Sequence, residues 1–254
     1  MTPLRSKVIR LASSLPKGSK ERRQLLAALE VNIPGKHILD RAVVSGDARV
    51  YGNAQVYDNA KVSDNAMVYG YAHVFGSAQV WGNAHVSGSA EVYGYAQVSD
   101  YALVSGDAKV FGDAKVTGDA KVYGHAVVFE KAIVQDNAKV FHRVKVSGAS
   151  MIRDGAMVFG DAEVSGDSAV FGTSRVSGHA EVYGHAKVSD NAKVYGNAKV
   201  SDYAKVSGKA DVSGDAKVTG EARIGGTAVI LGGIWDGSEG EITKGRWKAP
   251  GVPA

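Results

Sequence analysis

The chain has no cysteine, only five prolines in 254 residues, and no long apolar run. Each absence closes off some chemistry. Without cysteine there are no disulfides, no thiolate zinc ligands and no thiol nucleophile. No stretch approaches the roughly 20 apolar residues of a membrane-spanning helix, and the N-terminus lacks the apolar segment of a secretory signal, so a cytoplasmic location is expected. Net charge is also small, with 30 Lys and Arg against 26 Asp and Glu. It is unevenly spread: residues 1–37 hold eight basic residues and two Glu, whereas residues 38–254 hold 22 basic and 24 acidic residues. A basic patch is therefore expected in the N-terminal segment rather than in the body.

What the chain has in abundance is glycine, 32 residues, most of them spaced in multiples of six inside a strict internal repeat. Stepping by six from Ile38 to Ile230 meets Val or Ile at all 33 positions. Two residues before each anchor, from Ala42 to Ala228, 28 of 32 positions are Ala, the exceptions being Val144, Ser150, Ser168 and Ser174. In a strand, alternate side chains face opposite ways, so Ala and Val share the inner side and their neighbours the outer. The Gly or Asp that follows suits a corner with positive φ. A six-residue unit cannot bury its apolar side alone, but stacked units can, which predicts a solenoid.

The unit Ala-x-Val-x-Gly-Asn resembles the hexapeptide repeat of left-handed parallel β-helix proteins, over residues 38–231. That resemblance implies an all-β, left-handed triangular prism with three hexads per coil, hence about 11 coils and a length on the order of 50 Å at ordinary strand spacing. It also implies a default activity, because many such proteins are trimeric acyltransferases that use an acyl-CoA donor and a histidine as general base. Such enzymes usually interrupt the coils with a pocket-forming loop, and here the anchor phase runs unbroken from Ile38 to Ile230. The candidate bases are the corner residues His125, His142 and His179. Of these, His125 and His179 share a column of residues 18 apart with Asp107, Arg143 and Asp161, and His142 sits beside Arg143. The γ-class carbonic anhydrases share the fold and bind zinc through histidines with four residues between the paired ligands. His179 and His185 have five between them, so no metal site is expected. The glycine-rich corners lack a phosphate-loop pattern, so no nucleotide site is expected either.

Outward residues taken every 18 positions reveal one aromatic row, Tyr57, Phe75, Tyr93, Phe111 and Phe129, which reads either as local stacking or as a partner-binding face. Departures from the hexad cluster between Phe129 and Phe159, where Glu130 and His142 replace corner Gly or Asp and Arg153 replaces a small outer residue. Residues 1–37 are expected to form a basic helical hairpin, with Arg5, Lys7, Arg10, Arg22 and Arg23 available for docking to a protein partner. The segment 232–254 leaves the hexad pattern and reads as a C-terminal cap, with Trp235, Ile242 and Trp247 as its bulky apolar residues. Two functional readings remain open. One is a non-catalytic, rigid structural or interaction protein, homo-oligomeric and with a trimer favoured, without cofactor, and not expected to bind nucleic acid. The other is a hexapeptide-repeat acyltransferase with acyl-CoA.

Overall fold

A computed structural model describes residues 37–253. The expected helical hairpin and its basic residues Arg5, Lys7, Arg10, Arg22 and Arg23 lie outside the described residues. Each hexad contributes one two-residue strand, beginning with β1 (Val43–Val44), β2 (Arg49–Val50) and β3 (Gln55–Val56). Every third strand pairs in parallel. The sheets begun by β1, β2 and β3 contain 12, 13 and 11 strands. Register is uniform at 18 residues along the hexads, as in Gln55 opposite His73 and Val56 opposite Val74. The molecule is thus an all-β parallel solenoid of about 11 hexad-built turns, with one sheet on each of three sides.

Alternation accounts for the core. Ala and Val of each hexad point inward, and from Val50 to Val218 the anchors are 0–1% exposed. Small Ala facing larger Val keeps the interior narrow enough to fill without voids. Three of the four exceptions are serines, all buried. Their hydroxyls donate locally: Ser150 to the Ser147 carbonyl at 2.7 Å, Ser168 to that of Ser165 at 2.8 Å and Ser174 to that of Phe171 at 2.8 Å. A buried hydroxyl costs little when so paired.

The tail first continues the solenoid. After the last hexad, β33 (Ile234–Trp235), β34 (Glu241–Ile242) and β35 (Arg246–Ala249) extend the three sheets, each in parallel pairing. Trp235 lies opposite Val218, Ile242 opposite Ile224 and Trp247 opposite Ile230. The bulky residues therefore occupy anchor positions of a further turn. Two of its three steps are one residue short of 18, which is why no hexad is visible there. The indoles of Trp235 and Trp247 meet edge to face with centroids 6.5 Å apart and close the end of the core. Strand β36 (Val252–Pro253) then turns back antiparallel to β35 and covers that sheet edge, which limits its use as a template for another chain.

The narrow interior makes a size prediction. Ala120→Leu should destabilise the solenoid by about 1–3 kcal/mol through overpacking. Ser150→Ala should change stability by less than about 0.5 kcal/mol, because alanine fits the hexad and the Ser147 carbonyl keeps the amide at position 150. Urea unfolding of both variants measures the difference.

Candidate functional site

Function in a closed prism must lie on its faces, corners or ends. The corners are the most uniform element. Every corner residue from Asp40 to Gly226 has positive φ, including ten that are not glycine. Gly88 shows why glycine is common: at φ 68°, a Cβ there would lie 2.8 Å from the backbone N and O of Gly106 in the next coil.

That direction also explains the non-glycine corners. A side chain there points at the amide of the equivalent residue 18 positions on, which the strand ladder leaves unused. Asp58, Asp64 and Asp100 accept the N–H of Gly76, Gly82 and Gly118, each at 3.0 Å. Asp136, Asp154, Asp190 and Asp202 do the same at 2.9–3.2 Å. Glu130 reaches Gly148 at 2.6 Å, and His142 accepts the Gly160 N–H through Nδ1 at 3.4 Å. So two of the departures between Phe129 and Phe159 preserve the corner contact. The third, Arg153, lies over the ring of Phe171 with its guanidinium carbon 4.6 Å from the centroid, and beside Asp154 at 3.2 Å.

This arrangement gives His142 a structural contact. His125 is paired with Asp107 at 3.4 Å, both side chains more than half exposed. Arg143 instead forks onto Asp161 at 2.6 and 3.0 Å, which holds the Asp161 carboxyl below its usual range through the hydrogen bond from Arg143. The column at this corner therefore contains two separate pairs, Asp107–His125 and Arg143–Asp161. Among the described residues, no group of three His, Asp or Glu is placed to hold a metal ion.

The aromatic row forms one continuous stack. Tyr57, Phe75, Tyr93, Phe111 and Phe129 lie ring on ring, with centroids 4.8–5.2 Å apart and planes within 13°. Because each ring covers the next, all five are half-buried. Desolvation in the stack pushes the Tyr57 and Tyr93 phenols above their ordinary value, keeping them neutral. Shorter stacks, Tyr51 on Tyr69 and Tyr123 on Phe141 on Phe159, follow the same rule on another face. The most exposed rings are elsewhere, at corners: Tyr71, Tyr95, Tyr101 and Tyr203, each above 60%.

Among the described residues, two shallow concavities stand out. One, of about 360 Å³, runs along Asp40, Asp58 and Asn59 near the first coils. The other, about 550 Å³, lies between the corner column carrying His185 and Tyr203 and the outward row Lys187, Lys205 and Arg223. Sequence reasoning misses this second groove, because its parts are polar residues from different hexads. The signal is there, however: an 18-residue comb through the outward positions puts the three cations in one row.

These features define a parallel β-solenoid of the hexapeptide-repeat type. Residues 42–58 and 60–76 match a family model described as YdcK Beta solenoid repeat. Each matched stretch spans about one turn of the prism. Comparison with curated proteins gives no match. Among the described residues, no helix is long and apolar enough to cross a membrane.

Two predictions test the corner contact. Asp190→Ala keeps the left-handed backbone strain and loses the acceptor, so in chemical denaturation it should be less stable than wild type by about 1 kcal/mol. Because glycine relieves the strain, Asp190→Ala should also be less stable than Asp190→Gly by about 1 kcal/mol. Asp202 is held below its ordinary value by hydrogen bonds from the Thr219 hydroxyl, the Gly220 amide and Ser201. A depressed folded value means a contribution present above the unfolded value, near pH 4, and lost as pH falls through the folded one. The difference in melting temperature between wild type and Asp202→Asn should therefore shrink as the pH is lowered from about 6 to about 3.

Proposed function

We propose that this protein is a rigid, left-handed, non-catalytic solenoid that acts as a structural or interaction scaffold and self-associates through its flat faces. One observation carries the reading: coil-to-coil backbone pairing runs from Val43 to Trp235 without a loop that leaves the wall. The lateral surface is consequently flat, and the two concavities described above are open rather than enclosed. Repetition along an axis suits a spacer or a platform, since each turn contacts only its neighbours and the binding surface grows with length.

The half-buried stack from Tyr57 to Phe129 supports it as the self-association face, with three copies as the favoured number. Covering it would remove apolar ring edges from water without disturbing the core. The competing reading is an acyl-CoA-dependent acyltransferase with His125, His142 or His179 as general base. It requires a pocket bringing donor and acceptor to one imidazole, and the corner pairs Asp107–His125 and Arg143–Asp161 are exposed and separate.

Sedimentation velocity of the full chain should show a defined oligomer that Phe75→Lys combined with Phe111→Lys dissociates. A strict monomer at high concentration would overturn self-association. Thermal unfolding with CoA or acetyl-CoA should show no shift; a stabilisation abolished by His125→Ala or His179→Ala would replace the scaffold reading with the enzyme.

A further inference from the structure

In a solenoid with 18-residue register, outward residues sit directly over their equivalents about 4.8 Å away. Like charges so placed destabilise the wall, and opposite charges support it. Part of the prism follows that rule. On the face begun by β3, Lys109 meets Glu91 at 3.1 Å, Lys145 meets Glu163 at 2.9 Å and Lys199 meets Glu181 at 2.7 Å.

Elsewhere single like-charged pairs break it, Glu163 with Glu181, Lys199 with Lys217, Lys121 with Lys139 and Arg175 with Lys193, and the face begun by β1 does so over a longer row. Lys187 lies opposite Lys205, and Lys205 opposite Arg223. This is the longest run of one charge in the three strand rows of the described residues, and none of its members forms an ion pair with a described residue. The row also forms one wall of the 550 Å³ groove. The opposite wall is the corner column Asp167, His185, Tyr203 and Glu221. There His185 contacts Asp167 at 3.5 Å and lies flat on Tyr203, with centroids 4.9 Å apart and planes at 11°. Repulsion is thus stored beside a concave surface that has ring edges on its other side.

We propose that this groove binds a linear acidic polysaccharide of the polyuronate type, running along the solenoid axis. Three features select it. The cations repeat at strand spacing, about 4.8 Å, close to the length of one sugar ring carrying one carboxylate. The ring edges of His185 and Tyr203 offer an apolar strip for sugar C–H groups. The carboxylates of Asp167 and Glu221 accept hydrogen bonds from hydroxyls. The phosphodiester backbone of DNA has no such hydroxyl donors to offer along its chain. Binding rests on several exposed charge contacts, each weak, so it is multivalent and falls with ionic strength.

The test is affinity electrophoresis and calorimetry of the full chain with polygalacturonate at low salt. Its methyl ester serves as the uncharged control, and single-stranded DNA as the phosphate control. Polygalacturonate should bind, the ester should not, and DNA should bind more weakly. Lys205→Glu should weaken polygalacturonate binding by about tenfold or more, as expected for reversing a charge in a multivalent row, while Lys205→Arg binds as wild type. Lys121→Glu, an equal change of charge on another face, should stay within about twofold. If Lys205→Glu fails to fold, Lys187→Glu carries the same expectation. Absence of polygalacturonate binding, equal losses in Lys121→Glu and Lys205→Glu, or tighter binding to DNA would each overturn the proposal.

Discussion

The structure depends on one hydrogen bond repeated along the chain, from the N–H of one residue to the carbonyl 17 positions later. Asn53 to Gly70, Gln55 to Ala72 and Tyr57 to Val74 are successive instances, at 2.7, 2.9 and 3.1 Å. This ladder sets the rise of each turn at strand spacing and leaves no freedom of register. Every side chain therefore stands over its own equivalent, and the chain must choose what to stack on what.

Apolar side chains gain from that constraint. Val on Val fills the core, and rings such as Tyr93 on Phe111 cover each other at 4.8 Å. Charges have to be managed, and at some positions the wall does so by pairing opposite signs, as with Lys145 and Glu163. Corners use a third device. A side chain in the left-handed region is aimed at the next turn's unpaired amide, so Asp, Glu130 and His142 serve the same purpose where glycine would leave that amide to water. A glycine-to-aspartate exchange at a corner thus swaps backbone ease for a directed acceptor.

The hexad was legible because it is a period, and a period in Ala and Val carries both the strand alternation and the core. Stacking of Tyr57 with Phe75 could also be read from 18-residue spacing, although that these rings are half-buried required knowing how closely they overlap. The corner contact was not legible: Asp190 and Gly208 are ordinary letters until register brings one carboxylate to the other's amide. Nor was the last turn, since its steps of 17, 18 and 17 residues break the phase while Trp235 and Trp247 still take anchor positions. Overall charge even misdirected attention, because a body with nearly balanced acids and bases conceals three adjacent cations on one face.

By itself, then, the sequence determined that this is a solenoid, which residues line its core and which mark its corners. Those are short-range matters of side-chain direction and backbone freedom, and six residues suffice to express them. Only the tertiary structure decided what lies beside what across turns: the corner acceptors, the indole-closed end, and the groove between His185 and Lys205. Such contacts join residues 12 to 20 positions apart through space, so their chemistry exists only once the ladder has closed.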